Sequence, residues 1–130
     1  ITNFKKLRHY CAGQQPIPIQ EAATALWNDD KHAEQNRVRY KKKFDIAKAI
    51  FKNDYGFYTP DGGFYLWLNV GNGEKITQEL WRKEGIKVMP GSYLSRTKTA
   101  KAYIRVALVG SIIETNSALK SIYNLLSNSS

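Results

Sequence analysis

Tyr103-Ile104-Arg105-Val106-Ala107-Leu108-Val109 alternates with the two-residue period of a β-strand. Ile104, Val106 and Leu108, with Ala102 before them, fall on one face. Tyr103, Arg105, Ala107 and Val109 fall on the other. Phe64-Tyr65-Leu66-Trp67-Leu68-Asn69-Val70 follows the same rule, with Phe64, Leu66, Leu68 and Val70 on one face and Tyr65, Trp67 and Asn69 opposite. Asp61-Gly62-Gly63 and Gly71-Asn72-Gly73 bracket this second stretch with turn residues. Two half-apolar strands need a covering layer, and the segments around them carry helical periods.

Between the strands, residues 74–84 predict a helix with Ile76, Leu80 and Trp81 inward and Gly85 as its stop. Ile86 to Met89 predicts a short strand ended by Pro90-Gly91, and residues 92–99 a polar loop. After the second strand, Ser111-Ile112-Ile113-Glu114 has the capping-box form S-x-x-E. Ile112, Leu119, Ile122, Tyr123 and Leu126 give the helix that follows its apolar face, and residues 127–130 read as a frayed end. Before the first strand, Asn53-Asp54-Tyr55-Gly56 is a turn, and Gly56 to Thr59 could form a short strand ended by Pro60. A long helix runs from about residue 30 to 52, entered through Asn28-Asp29-Asp30. Residues 21–27 predict a short helix, residues 14–19 a loop broken by Pro16 and Pro18, and residues 1–13 are mixed. The expected fold class is α+β: a small mixed or antiparallel sheet covered by helices and preceded by a long connecting helix.

The 130 residues are 42% hydrophobic and 24% charged, which suits a packed domain and argues against global disorder. No apolar run reaches the roughly 18 residues of a membrane helix, and no leader peptide is visible. The chain opens with Ile1 rather than Met, so Ile1 is not read as a natural start. A lone Cys11 excludes an internal disulfide, and no Cys/His cluster suggests a metal site, so a cytoplasmic setting is expected. The net charge of +9 peaks at Arg37-Val38-Arg39-Tyr40-Lys41-Lys42-Lys43. That run reads either as a phosphate-backbone contact or, more simply, as the solvated side of a helix whose apolar stripe is Tyr40, Phe44, Ala47 and Phe51.

Arg105 is the residue that asks for chemistry. A guanidinium among apolar neighbours is costly unless an anion pairs with it, and its planar fork fits a carboxylate in a two-point grip. The alternative is an outward charge on a half-exposed sheet. Other candidates carry less. Cys11 and His9 could share a face only on a strand, and they lack a third orienting group. His32 lies among Asp29, Asp30 and Glu34 without a second histidine at metal-ligand spacing. Gly71-Asn72-Gly73 is a plain turn rather than a dinucleotide loop. Pro90-Gly91-Ser92-Tyr93 is either a turn or a place where backbone amides approach a ligand. No Ser/His/Asp set and no close carboxylate pair stands out.

Three stretches in order, Pro60-Asp61-Gly62-Gly63-Phe64-Tyr65-Leu66-Trp67, Gly85-Ile86-Lys87-Val88-Met89-Pro90-Gly91-Ser92-Tyr93-Leu94 and Tyr103 to Val109, resemble the C-terminal part of class I/II aminotransferases. These are the fold type I enzymes that use pyridoxal 5'-phosphate. Residues 21–44 and Pro90 to Arg96 look most similar to the N-succinyldiaminopimelate aminotransferase branch. The resemblance implies that residues 1–27 are a remnant of the large cofactor domain with its linker, and residues 28–130 the small domain. It implies that Arg105 grips the substrate's α-carboxylate, that Phe64, Tyr65, Pro90 and Gly91 line the pocket, and that the small domain closes over the substrate. The Schiff-base lysine lies upstream in such enzymes. Thr97-Lys98-Thr99-Ala100-Lys101 is only an imitation of its motif, so this chain is expected to hold no catalytic residue and no metal ligand.

On that reading the chain is a fragment, inactive alone and not binding the cofactor by itself. The intact enzyme would be a homodimer acting on amino acids and 2-oxo acids, with dicarboxylates and 2-oxoglutarate favoured, in lysine and diaminopimelate biosynthesis, without nucleic acid or membrane partners. Rival expectations are an aspartate-like aminotransferase, a basic nucleic-acid-binding module that displays Tyr65 and Trp67 for base stacking, and a small domain whose Tyr65 and Trp67 are covered by a partner protein.

Overall fold

A computed structural model describes residues 1–128 apart from Ala12 and Gln14. The chain divides into two compact units, Ile1–Arg37 and Val38–Ser130. The first holds α1 (Thr2–Cys11), α2 (Ile17–Trp27) and the beginning of α3 (Lys31–Phe51). α1 is a helix where the sequence reads only as mixed. α2 starts a full turn before residue 21 and replaces the second half of the expected loop, of which Gln14 lies outside the described residues. Pro16 is its N-cap and Pro18 lies in its first turn, where a missing N–H breaks no helical bond. The two prolines therefore begin this helix instead of blocking it. Asn28 closes α2, and the Asp29 carboxylate accepts the Lys31 N–H at 3.0 Å as α3 begins.

The second unit contains the rest of α3, then β1 (Tyr65–Asn69), α4 (Gly73–Glu84), β2 (Met89–Pro90), β3 (Tyr103–Ala107) and α5 (Ile112–Ser127). The sheet order is β1-β3-β2, antiparallel throughout, so β3 is central. The expected α+β class holds. Leu66, Leu68, Ile104 and Val106 turn one face of the sheet into a core shared with Phe44, Ala47 and Phe51 of α3, Leu80 of α4, and Leu119 and Ile122 of α5. The predicted α3 stripe is the buried one, with Tyr40 half-buried at its edge.

Several local expectations are corrected. Gly56 to Thr59 is not a strand. Asp54–Gly56 is a 3-10 turn, and Lys52 (φ 51°) and Tyr55 (φ 53°) take left-handed backbone. An aromatic cluster holds this corner: Phe51 stacks on Phe57 at 6.0 Å and meets Tyr123 edge-on at 5.7 Å. The Tyr123 hydroxyl donates to Asp54 at 2.9 Å, and that carboxylate holds the phenol above its usual pKa. Burial of Phe57 in the cluster, rather than a strand ladder, orders the segment. The strand expected over Ile86 to Met89 shrinks to Met89–Pro90. The polar loop of residues 92–99 is bracketed by 3-10 turns at Gly91–Tyr93 and Thr99–Ala102. Trp81 is 60% exposed, because Ile76 and Leu80 already hold the inward line of α4. Ile112 is also exposed, and Thr115 and Leu125 take buried places on α5. α5 continues through Ser127 with Asn128 as its cap; Ser129 and Ser130, the rest of the expected frayed end, lie outside the described residues.

The capping box at α5 is complete. Ser111 Oγ accepts the Glu114 N–H at 3.2 Å, and Glu114 Oε2 accepts the Ser111 N–H at 2.7 Å. That backbone bond, with the one from the Ser111 side chain, holds the Glu114 carboxyl below the usual glutamate pKa. A carboxyl whose folded pKa is lowered stabilises the fold above its unfolded pKa and loses that effect as pH falls through the folded value. Glu114→Gln should therefore lower Tm at about pH 7 more than at about pH 3, read by thermal denaturation. An equal drop at both pH values would show that the charge on Glu114 plays no part.

Candidate functional site

The sheet face turned away from the core carries Tyr65, Trp67, Tyr103, Arg105 and Met89, four of them half-buried and Met89 at the border of exposed. Register assembles this group. Trp67 of β1 and Met89 of β2 stand opposite Arg105 of β3 from its two sides, and Tyr65 pairs with Ala107, two residues along. Tyr65 is thus a diagonal neighbour of Arg105, within reach of a long side chain. The Arg105 guanidinium lies over the Tyr65 ring at 4.2 Å from its centre. Its Nη2 donates to Met89 Sδ at 3.5 Å, a weak acceptor. Trp67 meets Tyr103 edge-on at 6.5 Å.

Arginine has five donors. One face of this guanidinium is taken by an aromatic ring, one donor by a thioether, and none by a carboxylate among the described residues. Cation–π contact and partial burial restrain the guanidinium. Such an arrangement can bind an anion, and a planar one in particular.

The structure brings Tyr65 to Arg105; Phe64 is shown against Tyr65, with the rings 4.1 Å apart, and against Tyr40 at 5.8 Å, but not against Arg105. Pro90 and Gly91 are close in the chain but buried. Pro90 pairs with Ile104 in the sheet. Gly91 lies so near the Ala100 carbonyl that an added Cβ would collide with it. Beside them α4 and β2 border a groove of about 440 Å³, lined by Thr77, Trp81, Val88, Met89 and Tyr93. Met89 belongs to both the groove and the Arg105 site.

The remaining candidates are placed elsewhere. Cys11 is exposed on α1, and His9, two residues away on the same helix, does not share its face. His32 is exposed with its ring 3.6 Å from the Asp29 carboxylate. Among the described residues no His/Cys/Asp/Glu group could hold a metal ion, and no helix is long and apolar enough to cross a membrane. Lys98 and Lys101 are exposed on the polar segment before β3. In the basic run, Arg37 pairs with Glu34 at 2.7 Å and Lys41 with Asp45 at 3.1 Å, as on a solvated helix face. Lys43 departs from that description. It is 8% exposed and its Nζ donates to the Leu108 carbonyl at 2.6 Å. Sequence reasoning grouped it with its charged neighbours, although its spacing, three after Tyr40 and four before Ala47, already put it on the apolar stripe.

No family model matches the sequence. The chain is 27% identical over 109 residues to a probable aminotransferase of Mycobacterium tuberculosis, covering 83% of this chain and 26% of that protein. Two solved structures superpose with a TM-score of 0.86. An aminotransferase from Neisseria meningitidis is 32% identical, with 96% of this chain and 33% of that one covered. Aminotransferase AspB from Helicobacter pylori is 34% identical, with 98% and 33% covered. The relatives and structural neighbours are aminotransferases, and the helix-covered antiparallel sheet described above is the part that matches. The chain spans about a quarter of the curated relative's length and a third of the solved chains'.

The stack on Tyr65 has a direct spectroscopic consequence, since a ring current shields protons above the ring face. The Arg105 Nε proton should resonate upfield of the other arginine Nε protons in a 1H–15N spectrum. Tyr65→Leu should move that signal to the common position and leave the rest in place. An Arg105 signal already at the common position would show that the stack does not persist in solution.

Proposed function

We propose that this chain is the small-domain part of a pyridoxal-phosphate-dependent aminotransferase and that Arg105 binds the substrate's α-carboxylate. The observation that carries this reading is the guanidinium itself: half-buried, lying over the Tyr65 ring, and without a carboxylate partner among the described residues. A carboxylate accepting two parallel N–H bonds would satisfy its free edge and neutralise the charge. Phe64 and Tyr65 would exclude water beside the bound acid, and the turn at Pro90-Gly91 would shape the mouth of the pocket. Holding the carboxylate fixes where the substrate's amine and Cα can lie, which supplies orientation rather than bond-making. In this reading residues 1–27 are the end of the large domain with its linker, and residues 28–130 the small domain.

The cofactor needs a lysine for its aldehyde and a cradle for its phosphate. Lys98 and Lys101 stand exposed on a polar segment and do not meet that need. Its site therefore belongs to the two thirds of the solved aminotransferases that this chain does not match, and the chain alone would neither bind it nor transaminate. The likeness in residues 21–44 and 90–96 favours N-succinyldiaminopimelate with 2-oxoglutarate as the substrate pair, in lysine and diaminopimelate biosynthesis, by a cytoplasmic homodimer. Aspartate-like specificity uses the same carboxylate grip and would be separated from it by turnover of the two amino donors.

In the full-length enzyme, Arg105→Ala should leave the cofactor's absorbance intact and lower kcat/KM for amino donors by about two to four orders of magnitude, as loss of one partner of a buried charge pair does. Unchanged kinetics would exclude the carboxylate role.

A further inference from the structure

Lys43 is a buried cation with no carboxylate partner among the described residues; its contacts are the Leu108 carbonyl and the face of Tyr40, 5.0 Å from Nζ to the ring centre. A methionine or leucine would fill the same space without desolvating a charge. The cation therefore stands where stability alone would not put it, and its contacts indicate what it does.

Those contacts form a closed loop. Lys43 Nζ donates to the Leu108 carbonyl at 2.6 Å. The Leu108 N–H donates to the Phe64 carbonyl at 2.9 Å, continuing the β1–β3 ladder past its last paired residues. The Phe64 ring packs on Tyr40 at 5.8 Å, and Tyr40 carries the Lys43 charge. From Phe64 the loop extends to Tyr65 at 4.1 Å, and from Tyr65 to the Arg105 guanidinium at 4.2 Å. Arg105 thus has two connections to Lys43. One runs along the β3 backbone, three residues to Leu108. The other runs through three aromatic rings with a cation at each end.

We infer that Lys43 is the positioning residue for Arg105. It pins the carbonyl just past β3 and the ring series that sets the height and tilt of Tyr65, so that the guanidinium meets a carboxylate edge-on. This inference rests on the carboxylate reading of Arg105 given above. It needs no contact between Lys43 and the substrate.

A double-mutant cycle tests it, run in the full-length holoenzyme with glutarate as the probe and quenching of cofactor absorbance or fluorescence as the readout. Lys43→Met should weaken glutarate binding about tenfold in the parent background and by less than about twofold when Arg105 is already alanine, because residues coupled through one network are not additive. Lys43→Arg, which keeps a cation and a donor, should restore most of the affinity. Leu119→Ala, a cavity in the same core, should lower Tm by at least as much and leave glutarate binding unchanged. An equal effect of Lys43→Met in both backgrounds, or full glutarate affinity in Lys43→Met where Arg105→Ala has lost it, would overturn the inference. Should Lys43→Met not accumulate as folded protein, Tyr40→Leu opens the same loop at another contact and carries the same expectations. Glutarate affinity unchanged in Arg105→Ala would instead overturn the carboxylate reading itself, and with it the role of Lys43.

Discussion

β3 is the constraint from which the rest of the second unit follows. It is the central strand, paired on both edges, so its two-residue period assigns every neighbour to a side. Ile104 and Val106 pull α3, α4 and α5 into one core, and burial of such side chains is worth about 1.5–3 kcal/mol each. The same period obliges Arg105 to point the other way, into a face that β1 and β2 furnish with Tyr65, Trp67 and Met89. A one-residue slip of β3 against β1 would exchange the two sets and destroy core and site together. The core thereby fixes the register that builds the candidate site.

Much of this was legible from residue order. Alternation at 64–70 and 103–109 located both long strands and the sides they present. The S-x-x-E box and Gly85 after α4 located helix ends, and Gly85 takes the left-handed backbone of a C-cap. What escaped depended on context that a local pattern lacks. Pro16 and Pro18 read as breakers because the rule for helix interiors was applied to a helix start. Phe57 read as part of a strand because an aromatic in extended backbone looks the same with or without a ladder partner. Trp81 read as inward because a large apolar residue beside Leu80 is ambiguous until the opposing surface is known.

The site was legible to a lesser degree. Arg105 announced itself by cost, a charge in an apolar alternation. Its stack on Tyr65 follows from the β1–β3 register, which the sequence leaves open, and its contact with Met89 follows from a two-residue strand that includes a proline. Lys43 was hidden by its neighbours: four of the five basic residues in its run are exposed, and the fifth is inside. Aminotransferases from Neisseria meningitidis and Helicobacter pylori share this arrangement of elements over nearly the whole chain. The likeness extends over about a third of each of those chains.

The central claim is that Arg105 meets a carboxylate edge-on while its guanidinium lies over the Tyr65 ring. The most direct measurement is a crystal structure of the full-length protein with a dicarboxylate substrate or inhibitor bound. The account predicts two N–H···O contacts of about 2.7–2.9 Å from the Arg105 guanidinium to one carboxylate, with the Tyr65 stack retained. A ligand whose carboxylates are held by other residues, with Arg105 still facing solvent or Met89, would contradict it.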